Sequence, residues 1–206
     1  MDMIRFFMEV GNLKKLKRGG WLLDGIKNSE TIADHLFRTA LMVFILGKNA
    51  RDVDLLKAIK MALIHDLGES QTGDLIVEDK VKIMREYGNN ITEIENLRKE
   101  NINIGLENDE RERIEEVAVK KLTKLSGIDE IYSLWREFED QKTPEALFVK
   151  QIDRLEMALQ AMEYESENND KILEHYFTSK YGAESIMKDP ELVKLLRNIM
   201  SLRPKK

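Results

Sequence analysis

The sequence predicts an all-α fold, and three observations predict it. Apolar residues recur at spacings of three and four through most of the chain, which is the period of a one-sided helix. No stretch alternates apolar and polar residues as a half-buried strand does. Prolines (3) and glycines (11) are few in 206 residues, and the glycines mark breaks between the periodic runs. This length suits one domain over 1–206 with a sizeable core. The motifs lie within about 1–165, and helices over 166–206 are expected to be peripheral.

Taken in order, Asp2 to Lys17 reads as a first helix stopped by Gly19-Gly20, and Trp21-Leu22-Leu23 as a loop. Asn28-Ser29 are N-cap candidates for a second helix over about Glu30 to Lys48, with Leu36, Ala40, Val43 and Phe44 on its apolar face. Asp34 and Arg38 are spaced to pair on its surface. Asp52 or Val53 opens a third helix that runs to His65, and a polar loop follows to Asp74. Glu78 to Tyr87 reads as a short helix, and Ile91 to Gly105 and Asp109 to Ser126 as charged helices with thin apolar stripes. A helix carrying Ile131, Leu134, Trp135 and Phe138 follows Gly127-Ile128. Thr143-Pro144 is a capping residue followed by proline in the first turn, and it starts a helix to about Glu165. Asp170 to Lys180 and Pro190 to Leu202 read as two closing helices.

Composition narrows the function classes. A net charge of −5 argues against nucleic-acid binding through a broad basic face. The local cluster Lys14, Lys15, Lys17 and Arg18 reads mainly as a solvated helix end, with Arg18 set apart because it leads into a glycine turn. The absence of cysteine excludes disulfides, thiolate metal sites and a Cys nucleophile, and fits a reducing compartment. Met1 to Val10 contains acids and no long apolar run, and no stretch approaches the roughly 18 apolar residues of a membrane span. A cytoplasmic protein is expected.

The chemistry concentrates in Met61 to Asp74, where an apolar run ends in His65-Asp66 and is followed by Glu69 and Thr72-Gly73-Asp74. Imidazole and carboxylate suit divalent Zn, Fe, Mn or Co. His35 heads the second helix in Asp34-His35, and Asp153 sits inside the apolar ladder Phe148, Ile152, Leu155. Together His35, His65, Asp66 and Asp153 suffice for a catalytic metal with open positions. Each has a plainer reading. His65-Asp66 can end a helix, His35 can be a satisfied histidine near a helix start, Asp153 can face water beside Arg154 and Glu156, and Thr72-Gly73-Asp74 can cap a helix. His175 matches no motif and reads as structural.

The order His, His-Asp, Asp on helices resembles the HD-domain metal-dependent phosphohydrolase superfamily. Arg18-Gly19-Gly20-Trp21, Glu30-x-x-x-Asp34-His35, His65-Asp66-x-x-Glu69, Thr72-Gly73-Asp74 and Phe148-Val149-Lys150-Gln151-Ile152-Asp153 narrow the likeness to the HD-domain 5′-deoxynucleotidases, the YfbR-like group and its eukaryotic relatives. That resemblance implies an HD-domain helical bundle and a divalent ion (Mn, Co, Mg, Zn, Fe or Ni) on His35, His65, Asp66 and Asp153. It implies Glu69 and Asp74 in catalysis, with one ion or two. It also implies a nucleotide substrate contacted by Arg18, Trp21 and Asp74, and a homodimer, for which the Ile91–Ser126 helices are a candidate surface. For Trp21, a role beside the sugar and a role as a core plug are equally supported. Two rivals stand beside the 5′-deoxynucleotidase reading. One is an HD phosphodiesterase or triphosphohydrolase, and the other is a non-catalytic, metal-stabilised interaction module.

Overall fold

Helices form where a cap and a one-sided apolar spacing coincide. The computed structural model describes residues 1–86, 103–168 and 171–205. Helix α1 (Met3–Val10) is capped by Asp2, whose carboxylate accepts from the Arg5 amide at 3.1 Å, and it passes into a 3-10 turn at Gly11. The predicted first helix therefore ends early, and Trp21 lies on a short helix α2 (Gly19–Leu23) rather than in a loop. Helix α3 (Ile32–Leu46) starts from Thr31, not Asn28-Ser29, because Thr31 and Asp34 cap each other reciprocally. That use of Asp34 replaces its predicted pairing with Arg38.

Helices α4 (Leu55–Ile64) and α5 (Glu69–Thr72) come next. Strand β1 (Leu75–Val77), α6 (Glu78–Glu86), β2 (Asn103–Leu106) and α7 (Asn108–Ser126) follow. Helices α8 (Glu130–Asp140), α9 (Pro144–Glu167), α10 (His175–Thr178) and α11 (Pro190–Ser201) complete the chain. Thr143 caps α9 by accepting from Ala146, as the Thr-Pro signal predicts.

β1 and β2 pair in parallel, with Ile76 opposite Ile104, where the sequence reading has no strand. All three β1 residues are buried, so the pattern that marks a half-buried strand is missing. The pairing replaces the end of the predicted Ile91–Gly105 helix, and the rest of that helix, 91–102, lies outside the described residues. The helical class is unaffected.

Helices α3, α4 and α9 pack against one another, α8 covers α4 and α9, and α11 packs along α9. The main core gathers Val43, Met61, Phe138, Val149, Ile152, Leu155, Phe177 and Leu196. A second cluster around Ile32, Leu36, Leu122 and Trp135 ties α1 and α7 to α3. Phe44 is exposed, contrary to its predicted place on the apolar face. The buried face of α3 instead runs through Ile32, His35, Leu36, Thr39, Ala40 and Val43. Of the predicted Asp170–Lys180 helix, Asp170 lies outside the described residues, and over 171–180 one turn is α-helical, α10.

Candidate active site

Two helix ends and the middle of a third helix aim the ligand-type residues at one point. His35 lies in the first turn of α3, His65 caps the C-terminus of α4 with Asp66 next to it, and Asp153 projects from the middle of α9. Ligand atoms of His35, His65 and Asp66 lie within 4.8 Å of one another. His35 Nε2 is 3.3 Å from Asp153 Oδ1 and 3.8 Å from Asp66 Oδ2, and His65 Nε2 is 3.5 Å from that same Asp66 oxygen. The four residues singled out in the sequence thus converge.

The far side of each ring decides which nitrogen faces the cluster. His65 Nδ1 is 2.9 Å from the Ala62 carbonyl oxygen. A carbonyl only accepts, so Nδ1 carries the hydrogen and the neutral ring presents a lone pair at Nε2. His35 Nδ1 meets Glu156 Oε2 at 2.5 Å, a carboxylate contact of the kind that fixes a ligand imidazole and raises its basicity. Both Nε2 atoms are buried and have no hydrogen-bond partner among the described residues. Two orphaned imidazole nitrogens opposite two carboxylates fit a divalent cation. Glu30, His35 and Glu156 form a second close grouping, but there Glu156 already occupies His35 Nδ1.

The charges are unevenly balanced. Burial and Arg18 push His35 down, yet Glu156 and Asp153 outweigh them and raise it to about 10. An entering cation therefore displaces a proton there. His65 is lowered, chiefly by burial, and so favours the neutral ligand form. Burial opposes ionisation of Asp66, but His65, Arg18 and His35 hold it well below the carboxylate range. Asp153 is lowered likewise, against burial, by Lys150 and Arg154. Glu69 moves the opposite way, because burial, Asp66 and Asp74 push it well above its ordinary value. Neighbouring carboxylates driven apart in this way can divide acid and base roles.

Arg18 Nη1 donates to Asp66 Oδ2 at 2.8 Å, and Asp74 Oδ2 accepts from the Gly19 amide at 2.6 Å. The turn into Asp74 passes through Gly73 at φ +70°, a conformation that favours glycine. Glu69 opens α5 with Oε2 buried and unpartnered among the described residues. Trp21 is 1% exposed, donates from Nε1 to Glu30 Oε1 at 2.9 Å and packs between Tyr164 and Tyr176. Its surroundings are those of a core residue that reaches the pocket wall with little surface.

A pocket of about 320 Å³ opens over Arg18, Asp66, Glu69, Asp74 and Asp153. Lys80, Arg111, Lys150 and Arg154 add positive charge, and Leu75, Ile76, Met84, Phe138 and Met157 add apolar wall. Its size suits a small organic ligand. His175, with Nε2 3.3 Å from Asp24 Oδ2, and Tyr176 also line it, so the tail contributes to the site.

Sequence reasoning missed Glu156, which is fully buried between His35 and the Arg38 guanidinium. The available signal was a matched spacing of three, His35 to Arg38 on one helix and Asp153 to Glu156 on the other. Lys80 was also missed, and no motif marks it.

Scaffold and site together define an all-α protein with a buried His/Asp cluster at a pocket. The chain belongs to the HD-domain family, whose model matches residues 10–194. It is 36% identical over 192 residues to the 5′-deoxynucleotidase HDDC2 of Dictyostelium discoideum, covering 87% of this chain and 88% of that protein. It is 32% identical over 206 residues to the 5′-deoxynucleotidase HDDC2 of Homo sapiens, covering 98% and 86%. A solved structure of a conserved hypothetical protein from Pyrococcus furiosus matches with a TM-score of 0.66 and 28% identity, over 97% and 98% of the two chains. The all-α HD fold follows, and family and site together imply a divalent metal.

Proposed function

We propose that this chain is a metal-dependent 5′-deoxynucleotidase, which hydrolyses 2′-deoxyribonucleoside 5′-monophosphates to deoxynucleoside and phosphate. The observation that carries it is the pair of orphaned Nε2 atoms facing Asp66 and Asp153, with Glu69 beside them at a nucleotide-sized pocket. Proteins named as 5′-deoxynucleotidases that align along most of the chain support the substrate class. His35, His65, Asp66 and Asp153 would hold the ion. Such an ion supplies positive charge to the phosphoryl group and acidifies water. Glu69, with its raised proton affinity, exchanges a proton at Oε2 as water adds to phosphorus and the 5′-oxygen leaves. Asp74 fixes the Gly19 amide and with it the turn that carries Arg18 and Trp21.

The test is phosphate release from deoxy- and ribonucleoside 5′-monophosphates, 3′-monophosphates and cyclic nucleotides, with Mn, Co, Mg or Zn. Turnover confined to the 5′-deoxy substrates is expected. Glu69→Gln should lower it by about 10²–10⁴-fold while metal content stays the same. Release from cyclic nucleotides alone would move the chain to the phosphodiesterase class.

The proposal includes a homodimer in the cytoplasm. Among described residues of the predicted 91–126 surface, Val117 is the exposed large apolar side chain, whereas α3 exposes Phe37, Leu41, Phe44 and Ile45. We therefore place the dimer face on α3. Sedimentation of a Phe37→Ser/Phe44→Ser variant checks this, and a variant that stays dimeric would move the face elsewhere. No described helix is long and apolar enough to cross a membrane.

A further inference from the structure

We infer that Lys80 and Arg154 form an anion-binding wall that receives phosphoryl oxygens beside the metal-ligand cluster. The inference rests on the phosphate-monoester reading above and extends it to residues that no motif contains.

Five basic side chains line the pocket, and three are already engaged. Arg18 pairs with Asp66 at 2.8 Å and Lys150 with Asp153 at 3.0 Å. Arg111 is held between Glu115 and Glu139 at 2.5 and 2.8 Å. The other two form no ion pair with a carboxylate among the described residues. Arg154 Nη1 meets the Met157 thioether at 3.2 Å, and Lys80 makes no hydrogen bond or ion pair among the described residues.

Their placement matters as much as their freedom. Arg154 follows the candidate ligand Asp153 directly and lies one helical turn from Lys150 on α9. Lys80 comes from α6, at the end of the segment that begins at Asp74. Lys80 shares the pocket with Arg154, Lys150, Arg18 and Asp74. Burial and those cations, against the pull of Asp74, depress it to about 8. Two pocket cations that form no ion pair of their own are costly to desolvate, and a bound dianion offsets that cost. A guanidinium grips two oxygens in its planar fork, while an ammonium acts as a point charge. A phosphoryl group, whether on the intact ester or released as inorganic phosphate, is the matching ligand class.

The test uses the full chain loaded with manganese, comparing Lys80→Met, Arg154→Met and Lys80→Arg with the parent. Inorganic phosphate affinity is measured by calorimetry, KM on a deoxynucleoside 5′-monophosphate, and bound manganese by elemental analysis. Each Met variant should weaken phosphate binding and raise KM by about tenfold or more, the scale of a charge-assisted hydrogen bond. Lys80→Arg should recover most of the loss, with manganese content unchanged throughout. If KM rises while phosphate affinity holds, the wall serves the intact ester. If the parent turns over no monophosphate but the Met variants still lose phosphate affinity, the wall stands and the nucleotidase reading falls. Parental KM and phosphate affinity in both Met variants overturn the inference and leave that reading untouched.

Discussion

The two ring nitrogens of His35 have separate tasks, since Nδ1 meets Glu156 and Nε2 faces the carboxylates of the cluster. Glu156 is held in turn by Arg38 Nε at 2.8 Å, and Arg38 is fixed by Glu163 and Gln160. That chain of contacts sets the angle of the imidazole before any cation arrives. Glu156→Gln keeps an acceptor but removes the charge, and should weaken metal binding by about 10–100-fold in a competition assay with a chelating dye. Glu163→Gln, which touches only the outer edge of Arg38, should bind metal like the parent. Equal affinities in all three proteins would take Glu156 out of the metal support. The matched spacing of His35–Arg38 and Asp153–Glu156 hints at this role, but does not by itself pair the two helices. A glutamate beside Arg154 has the look of a solvated residue until α3 is laid against α9.

At the scale of elements, α3 shows how a helix can be foreseen while its rotation is not. Its two flanks are both rich in apolar residues, and packing buries Val43 while leaving Phe44 outside. Met61 of α4 is fully buried in the core beneath it. Met61→Ala should cost about 2–5 kcal/mol of unfolding free energy in denaturant titration. Phe44→Ser should stay within about 0.5 kcal/mol in the monomer. Reversed magnitudes would contradict a packing that buries Met61 of α4 and leaves Phe44 of α3 outside. On α7, burial raises Glu115 to about 7 against the pull of Arg111, with Glu139 adding to the rise. A carboxyl raised in the folded state contributes stability that is complete below its unfolded value near 4.5 and lost as pH climbs to about 7. The parent should therefore lose Tm between pH 5 and pH 8, and Glu115→Gln should flatten that loss. A parallel pair of Tm curves would contradict the assignment.

For the whole molecule, the pocket is an assembly of distant pieces. Arg18 and Trp21 come from the N-terminal part, Glu69 and Asp74 from the loop after α4, Asp153 from α9, and His175 and Tyr176 from the tail. A cation joining α3, α4 and α9 binds the folded chain and not the unfolded one, so it stabilises the whole. Chelation should lower Tm, and metal restored at a hundredfold excess over its Kd should return about 2.7 kcal/mol. An unchanged Tm on metal addition would count against a site that bridges these helices.

Much of this was legible in the residues alone. Helix caps such as Thr143-Pro144 and the spacing of apolar residues act over a few positions, so the helical class follows from local order. The residue types in His35, His65-Asp66, Glu69, Asp74 and Asp153 already suggest a divalent-cation site. Other features depended on contacts between remote segments. β1 pairs with a strand beyond α6, His35 meets a glutamate 121 positions away, and Trp21 is buried by tyrosines of α9 and α10. Burial of a charge and satisfaction of a backbone edge are properties of partners. Partners are chosen by packing in three dimensions, which no local spacing specifies.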